Sequence, residues 1–414
     1  NDREAPVRTA TFRCMTTKTH HTDISAPDVV SRARDVAAQV LRPSALDVDR
    51  RGVPAGHIAA LAAAGLLNAG ADPEFGGGGG DSVTDRALGE ILAGADPNTW
   101  LIWTQHAPQV TRLNAAHRAG ADLPEIAYEI LRGERLAGAA LSDVRRYPER
   151  YIRATRAGSG WRFDGTVSWV SGWGLNSVLT VAAVDPDTDQ VVTALVPVGE
   201  GLPGIRAEPL DLAALSGSRT ARVELTGVEV PDGNVLSVES HDRWRVGDTG
   251  TATDAKPHHF GLAAAVLDEL AAEKDPEARA VAGAWRPVVE KLRSLAYELT
   301  DAAAEQAATQ QTGETAAAPY RLAERLELKV AATRVLSELT GALLAARSGH
   351  GIGSDDTAPL YARTVLFIEI QGQNGDVRSA QLGSYGRVPA SVTGALTGAL
   401  TGAAAPIIPT LRSE

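Results

Sequence analysis

The sequence predicts a mainly α-helical protein with a β unit in its middle, and two periodicities predict it. Apolar residues recur every three or four positions in the first third of the chain and again after residue 257. Between about 138 and 240 they alternate with polar residues instead. A chain of 414 residues exceeds the span of one hydrophobic core, so we expect several domains. In chain order they are a disordered or extraneous segment 1–24, an N-terminal helical domain 25–137, a β domain 138–240, a linker 241–257, a four-helix bundle 258–386 and a low-complexity tail 387–414.

The first domain is predicted to be helical because its apolar positions follow a helical stripe. Helical periodicity begins near Pro27 and brings Val29, Ala33, Val36 and Val40 to one face. Pro54 stands where helix entry favours proline. Further helices are expected over 54–66, 82–95, 99–118 and 123–132.

The β domain is predicted from alternation and turn residues. Trp161, Phe163, Val167 and Trp169 alternate with Arg162, Asp164, Thr166 and Ser168, and this period of two is typical of a strand. Further strands are expected at 178–184, 191–198 and 221–230, with an aspartate-rich turn between the first two of these. The unit should therefore be compact and mostly antiparallel.

The last third is predicted to form an antiparallel bundle of four helices. They are expected over 258–274, 277–311, 319–348 and 358–384, joined by short loops. Pro319 opens the third helix and Gly349 closes it. Its apolar stripe comprises Leu322, Leu326, Val330, Leu336, Leu339 and Leu343.

Composition excludes several classes of partner. The formal charge is −11 and no basic patch exists, which argues against nucleic acid and against an anionic membrane. The single cysteine, Cys14, excludes a disulfide framework and a cysteine-based metal site, and no other metal-ligand spacing is present. No apolar run is long enough for a membrane span and no secretory signal is visible, so we expect a cytoplasmic protein. Met15 is the expected natural start.

Three histidines and one strand end are the candidates for chemistry. His106 lies in a helical stretch, where a neutral ring could act as a general base or a donor, although a satisfied core histidine is the commoner case. His258 and His259 stand at a helix start, and adjacent positions should point them to different faces. Trp169-Val-Ser-Gly172 ends a strand and pairs an indole with a hydroxyl. That pair suits a flat heteroaromatic ligand, but a core tryptophan before a turn is an equal alternative.

Several segments match known motifs in chain order. Leu61-Ala-Ala-Ala-Gly-Leu66 followed by Pro73-Glu-Phe-Gly-Gly77 resembles an N-terminal helix and a "P-E-x-x-G-G" turn. Leu131-Arg-Gly133 followed by Ala139-Ala-Leu-Ser-Asp143 resembles a "G…A-x-T-E" entry into a β domain. Phe163-Asp-Gly165 and Trp169-Val-Ser-Gly172 resemble "L-N-G-x-K-x-W-I-T-N", and Val228-Glu-Val-Pro231 resembles a "D-V-x-V-P" exit. Together, over about residues 25–385, these motifs resemble those of the acyl-CoA dehydrogenase superfamily of flavoproteins. The resemblance implies an N-terminal helical domain, a central β-barrel and a C-terminal four-helix bundle, assembled as a homodimer or homotetramer.

The resemblance also implies FAD as cofactor, or reduced flavin supplied by a reductase. Leu141 and Ser142 would contact the flavin ring, and Trp169, Val170 and Ser171 would flank it. Donors there would stabilise the electron-rich reduced ring. Ile370-Gln-Gly-Gln-Asn-Gly375 is similar to another flavin contact of the family and nominates Gly372.

Departures from the family pattern bear on the reaction. The family's "Y-E-G-T", whose Glu removes the substrate's α-proton, is absent, and so is the "R-x-x-F-G" that reaches a neighbour's FAD. Val144-Arg-Arg-Tyr-Pro148 replaces the stretch that meets acyl-CoA. A dehydrogenase would need Asp143, Asp254 or Glu369 as a substitute base.

Three functions therefore stay open. The first is FAD-dependent dehydrogenation of an acyl thioester or related substrate, with electron-transfer flavoprotein as a partner. The second is a two-component monooxygenase that uses reduced flavin and O₂ on a small molecule, with a flavin reductase as partner and His106, Ser142, His258 or His259 as the donor. The third is a catalytically reduced partner subunit of a hetero-oligomeric acyl-CoA dehydrogenase.

Overall fold

The computed structural model describes residues 26–310 and 319–387. The expectations for the segment 1–24, for Cys14 and Met15, and for the tail from 388 onward lie outside these residues. Helices α1 to α6 come first, then strands β1 to β8, then helices α7 to α12. No helix of the described ranges is both long and apolar enough to cross a membrane.

The N-terminal helices form a core of their own. Short loops join them, and α1 continues through one π-helical turn, 37–41, into α2. Asp81 and Asp96 cap α4 and α5 by accepting backbone N–H groups with their side chains. The bounds are α1 Ala26–Val36, α2 Arg42–Arg51, α3 Ala55–Ala63, α4 Ser82–Ala95, α5 Pro97–Arg118 and α6 Glu125–Leu131.

Eight strands form one sheet, ordered β6-β7-β3-β2-β4-β5-β8, with β1 parallel to β4 off this path. The path does not close on itself, so the predicted β-barrel is not confirmed. Both end strands are short, and β6 carries the exposed charged side chains of Arg206 and Glu208, a pattern typical of sheet edges. The bounds are β1 Ala137–Ala140, β2 Arg153–Ala157, β3 Gly160–Val170, β4 Val178–Asp185, β5 Gln190–Pro197, β6 Ile205–Pro209, β7 Ala221–Pro231 and β8 Val235–Ser240.

The C-terminal helices pack around a third core, which α8, α9, α10 and α11 share. The fourth predicted helix is two helices, because Gly372 adopts φ +65° and the side chain of Asn374 begins a new helix. Residues 241–257, expected to be a polar linker, contain α7, capped by Ser240. The bounds are α7 His241–Ala252, α8 Pro257–Ala272, α9 Pro276–Gln310, α10 Leu322–Arg347, α11 Thr357–Ile370 and α12 Gly375–Tyr385.

Candidate functional site

A β-bulge shapes the strand end that the sequence nominated. Val167 pairs with Val223 and Val170 with Ala221, so β3 has three steps where β7 has two. The extra residue reverses the alternation. Ser168 becomes buried and Trp169 is 41% exposed, so Trp169 is not the core tryptophan that was the alternative to a ligand contact. The bulge thus turns a large apolar side chain outward at the end of a core strand.

The carboxylate of Asp143 fastens this bulge to the end of β1. Asp143 is 1% exposed and accepts the backbone N–H of Ser168 at 2.8 Å and its hydroxyl at 2.5 Å. Arg150 donates to the same hydroxyl oxygen at 2.7 Å. Because Asp143 directly follows Leu141 and Ser142, these bonds bring the two predicted flavin-contact segments together.

A second contact holds the residues beyond the bulge. The side-chain amide of Asn176 donates to the carbonyl of Ser171 at 3.0 Å, and the hydroxyl of Ser171 lies 3.0 Å from that of Thr220. Asn176 needs glycine at position 138, since a Cβ there would lie 2.6 Å from its nitrogen. We call Leu141–Asp143 and Ser168–Gly172 together the sheet wall.

The predicted contacts of the sheet wall differ in what they can offer. Ser142 is exposed, and Leu141 and Ser171 are half-buried. Val170 is fully buried in the core of the sheet, so only its backbone is available to a ligand. Trp169 therefore supplies the apolar face of this wall, and Ser142 and Ser171 supply hydroxyl groups.

His258 and His259 lie in the first turn of α8 and stack on each other with ring centroids 4.3 Å apart. The expectation that adjacent rings point apart is wrong. His258 also packs against Trp100 at 4.7 Å. Burial lowers the pKa of both rings, that of His259 to about 3, so both are neutral at pH 7.

His259 offers a buried donor. It is 1% exposed, and its Nε2 has no hydrogen-bond partner among the described residues. Its Nδ1 lies 3.1 Å from both the backbone nitrogen and the carbonyl oxygen of Lys256. In the tautomer in which Nδ1 accepts the backbone N–H of Lys256, the neutral ring carries its proton on the unpartnered Nε2.

The turn between α11 and α12 adds a buried acceptor. The side-chain Oε1 of Gln371 is buried and has no hydrogen-bond partner among the described residues. The ammonium group of Lys329 donates hydrogen bonds to two backbone carbonyls, that of Gln371 at 3.3 Å and that of Ala252 at 2.6 Å. We call Ala252–His259, Lys329 and Gln371–Gly372 together the bundle wall.

The two walls are joined by contacts near each of them. Arg145, three residues after Ser142, forms two hydrogen bonds of 2.7 Å with Asp248 of α7. Helix α5 touches both walls: Trp100 packs on His258, and a Cβ at Gly172 would lie 2.9 Å from Ile102. The sheet wall and the bundle wall are therefore held in register by α5 and α7.

His106 has a different environment from the histidine pair. It is completely buried, its Nε2 donates to the carbonyl of Leu67 at 2.8 Å, and its Nδ1 accepts the backbone N–H of Ala137 at 3.0 Å. Burial lowers its pKa to about 4. Both ring nitrogens are used, so His106 ties α5 to β1 and has no nitrogen left for a substrate.

The three carboxylates considered as substitute bases all have partners. Asp143 is bonded to Ser168 as described. The carboxylate of Asp254 accepts a hydrogen bond from Nε of Arg325 at 2.6 Å, and both side chains are buried. Glu369 is half-buried and accepts the hydroxyl of Tyr385, which contributes, after burial, to the raised pKa of Tyr385.

The residues fit a flavin, the cofactor that the resemblance implies. A flavin ring needs an apolar surface for its face and polar groups for its edge. Trp169 leaves its indole uncovered, and the unpartnered Nε2 of His259 and Oε1 of Gln371 supply a donor and an acceptor. Left-handed glycines at 172 and 372 keep side chains out of both turns.

Comparisons with known proteins identify the fold. Residues 27–122 match the family model described as "Acyl-CoA dehydrogenase, N-terminal domain". The butyryl-CoA dehydrogenase of Megasphaera elsdenii superposes with a TM-score of 0.67 at 18% identity, over 88% of this chain and 99% of that one. The chain has the acyl-CoA dehydrogenase fold. The resemblance found in the sequence is confirmed at this level.

Other solved structures with this fold contain flavin. FMN-bound TdsC from Paenibacillus sp. A11-2 has a TM-score of 0.66 at 18% identity, over 87% of this chain and 98% of that one. KijD3 in complex with FMN and a dTDP-linked amino sugar has a TM-score of 0.70 at 17% identity, over 92% and 94%. Identities this low show the fold alone.

Two curated relatives match over part of their length. The 3-sulfinopropanoyl-CoA desulfinase of Paraburkholderia xenovorans (strain LB400) is 23% identical over 57% of this chain. A Mycobacterium leprae protein named "Probable acyl-CoA dehydrogenase fadE25" is 31% identical over 37% of this chain. The matched parts span 61% of the first relative and 41% of the second.

Sequence reasoning missed two residues of the bundle wall. Gln371 was passed over because an amide in a turn has no distinctive spacing. Lys329 had a usable signal: only five lysines occur in the chain, and this one lies three positions after Leu326 on the apolar stripe of α10. A lone lysine on a buried helix face is unusual, because burial disfavours its charge.

Proposed function

We propose that this protein is a flavin-dependent oxidoreductase that uses reduced flavin and O₂ to oxygenate a small molecule. One oxygen atom enters the substrate and the other leaves as water, with two electrons from the flavin and two protons completing the balance. The observation that carries this proposal is that Asp143, Asp254 and Glu369 each accept a hydrogen bond from another residue. Dehydrogenation of an acyl thioester needs a free base, whereas oxygenation needs a neutral donor in a dry site.

His259 is the donor that the geometry favours. It is neutral because burial lowers its pKa to about 3, and its Nε2 has no hydrogen-bond partner among the described residues. In the tautomer that donates, Nδ1 accepts the backbone N–H of Lys256 and the proton is on Nε2. His106 is excluded from this role by its two hydrogen bonds. A neutral donor can stabilise negative charge that develops on oxygen without itself being a strong acid.

The other residues of the two walls bind and orient. When bound, flavin supplies the two-electron redox chemistry that no side chain here can provide. Trp169 would cover one apolar surface of the ring, and the hydroxyls of Ser142 and Ser171 would bond its polar edge. Asp143 keeps the sheet wall in shape by holding Ser168.

The test combines flavin binding with isotope incorporation. The purified protein is titrated with FAD and with FMN, oxidised and reduced, and binding is followed by the visible spectrum and by fluorescence quenching. Reduced flavin, ¹⁸O₂ and a panel of aromatic and amino-sugar compounds are then supplied, and the products are analysed by mass spectrometry. We expect flavin binding and ¹⁸O in one product.

Matched histidine variants assign the donor. His259→Gln should lower product formation by about 10² to 10⁴-fold, the usual contribution of a positioned proton donor. His350→Gln serves as the control, since this histidine is exposed and outside both walls. Flavin reduction by acyl-CoA compounds without O₂, and no ¹⁸O in any product, would replace the oxygenase proposal by the dehydrogenase.

Dehydrogenation remains the second candidate because of one relative. The Mycobacterium leprae protein is 31% identical over 163 residues, and its printed name is that of an acyl-CoA dehydrogenase. On this alternative one of the engaged carboxylates must leave its partner when substrate binds. Glu369 is the candidate to examine first, because its partner Tyr385 is exposed and can move more easily than the buried Arg325.

A further inference from the structure

Lys329 is the most unusual charged residue in the described part of the chain. It is 4% exposed and lies on α10, facing the α7 to α8 junction. The ammonium group makes its two hydrogen bonds to backbone carbonyls, those of Ala252 and Gln371. The buried carboxylate of Asp254, which favours the charge of Lys329, accepts a hydrogen bond from Arg325.

Both acceptors of Lys329 are helix C-termini. Ala252 is the last residue of α7, and Gln371 is the residue that ends α11. The last carbonyls of a helix lack intrahelical partners and carry the negative end of the helix dipole. One ammonium group therefore caps two helices, and the turns that follow these helices belong to the bundle wall.

The turns that follow α7 and α11 contain the polar groups of the candidate site. After Ala252 the chain leads within seven residues to His258 and His259, and after Gln371 comes Gly372. A Cβ at Gly372 would lie 3.8 Å from Nζ of Lys329. A change at Nζ is therefore transmitted directly to both turns.

The charges around Lys329 come from every element that packs near it. The cations Lys256 before α8 and Arg145 after β1 disfavour its charge, whereas Asp254 and Asp248 favour it. Arg325, on the same helix, reinforces the cap by donating to Asp254 and to the carbonyl of Gly250. His258 and His259 are neutral, as described above.

Burial, followed by the two cations, lowers the pKa of Lys329 to about 7. Its value in an unfolded chain is about 10.4. Between these two pH values the unfolded chain binds one more proton than the folded chain, so the free energy of unfolding rises with pH there. The capping ammonium is itself lost over the same interval.

We propose that Lys329 is a positioning residue whose ammonium group, by capping α7 and α11 together, holds the histidine pair and the Gln371–Gly372 turn in the geometry that flavin binding requires. The part of this proposal that concerns flavin rests on the proposed function. The capping of two helices stands without it.

The first measurement needs no flavin. Amide hydrogen exchange of the free protein is compared for wild type, Lys329→Met and Lys291→Met, an exposed lysine that serves as the matched control. Lys329→Met should raise exchange at 253–259 and 371–377 about tenfold and leave β3 unchanged. Between pH 7 and 9.5 the unfolding equilibrium constant of the wild type should fall as the pH rises. For each pH unit it should fall by up to tenfold more than that of Lys329→Met.

The second measurement is flavin affinity at pH 6 and pH 9. The wild type should bind flavin about tenfold more weakly at pH 9, and Lys329→Met should bind weakly at both. Lys329→Arg, which keeps the charge, should restore part of the affinity at pH 9. If the wild type binds no flavin but the exchange result holds, the proposed function fails and the capping stands. Unchanged exchange in Lys329→Met overturns the proposal.

Discussion

The sheet wall and the bundle wall of the candidate site are built by different means. The sheet wall comes from two short segments, Leu141–Asp143 and Ser168–Gly172, joined by hydrogen bonds to one carboxylate. The bundle wall comes from three segments up to about 120 residues apart in the chain, joined by one ammonium group. The sheet wall is thus formed by segments that are close together in the chain, whereas the bundle wall is formed by segments that are far apart in the chain.

This difference separates binding from reactivity. The sheet wall presents an exposed indole and hydroxyl groups, which are suited to a flat ligand. The bundle wall holds neutral histidines and a lysine whose pKa is lowered to about 7. Groups with perturbed pKa values concentrate where a site does chemistry. We therefore expect changes in the sheet wall to alter flavin affinity at every pH, and changes in the bundle wall to alter the rate and the pH dependence of flavin affinity.

The largest expected effect is acid destabilisation through buried histidines. The folded-state pKa is about 4 for His106 and about 3 for His259, against about 6.5 when unfolded. Their stabilisation is complete above pH 6.5 and is lost as the pH falls through these folded values. By pH 4 each histidine should lower the free energy of unfolding by about 3 kcal/mol. Urea titrations at pH 7, 6, 5 and 4 measure this loss. His259→Gln should reduce the slope of the free energy of unfolding against pH by the contribution of one proton. A slope equal to that of the exposed control His350→Gln would contradict it.

A second prediction breaks the ion pair between Asp254, a residue of the bundle wall, and Arg325. Asp254→Ala leaves the guanidinium of Arg325 buried without its partner, so we expect a loss of about 3–5 kcal/mol of unfolding free energy. The double variant with Arg325→Met should recover most of that loss, because no unpaired charge remains. Denaturant unfolding measures both, and equal instability of the single and double variants would show that the pair is not the cause.

A third prediction tests the joint of the sheet wall. Asp143→Ala removes the acceptor of two buried donors of Ser168, and we expect about 2–3 kcal/mol of destabilisation together with loss of flavin binding. The exposed Asp242→Ala, outside both walls, is the control. A stable Asp143→Ala protein that still binds flavin would show that the bulge holds its shape without the carboxylate.

The order of helices and strands could be predicted from the sequence because each element carries its own period. The helix starts at Asp81 and Asp96 and the strands around 161–169 and 178–184 are encoded by neighbouring residues. Helix α7 was not predicted, since its apolar residues are few and its packing depends on distant partners such as Val144 and Val191. Closure of the sheet is likewise a long-range property, and the implied barrel is not confirmed.

Within the candidate site, the sequence nominates segments but does not predict how their side chains are oriented. The outward orientation of Trp169 depends on a bulge, which inserts one residue without any sequence signal at that residue. His106 and His259 look equivalent in the sequence, yet one has both nitrogens bonded and the other has a free Nε2. That distinction depends on which carbonyls and amides other elements bring to each ring.

The smallest expected effect on stability is that of Trp169→Ala, and it sharpens the comparison most. The indole is 41% exposed, so its removal should change the free energy of unfolding by less than about 1 kcal/mol. Loss of stacking against a flavin should weaken binding about tenfold. Trp103→Ala is the matched contrast, since that indole is buried and donates to the carbonyl of Leu66 at 2.8 Å, and its loss should cost about 3–5 kcal/mol. Fluorescence titration and denaturant unfolding of the two variants separate affinity from stability. If Trp169→Ala bound flavin as well as the wild type does, the sheet wall would not be the flavin face.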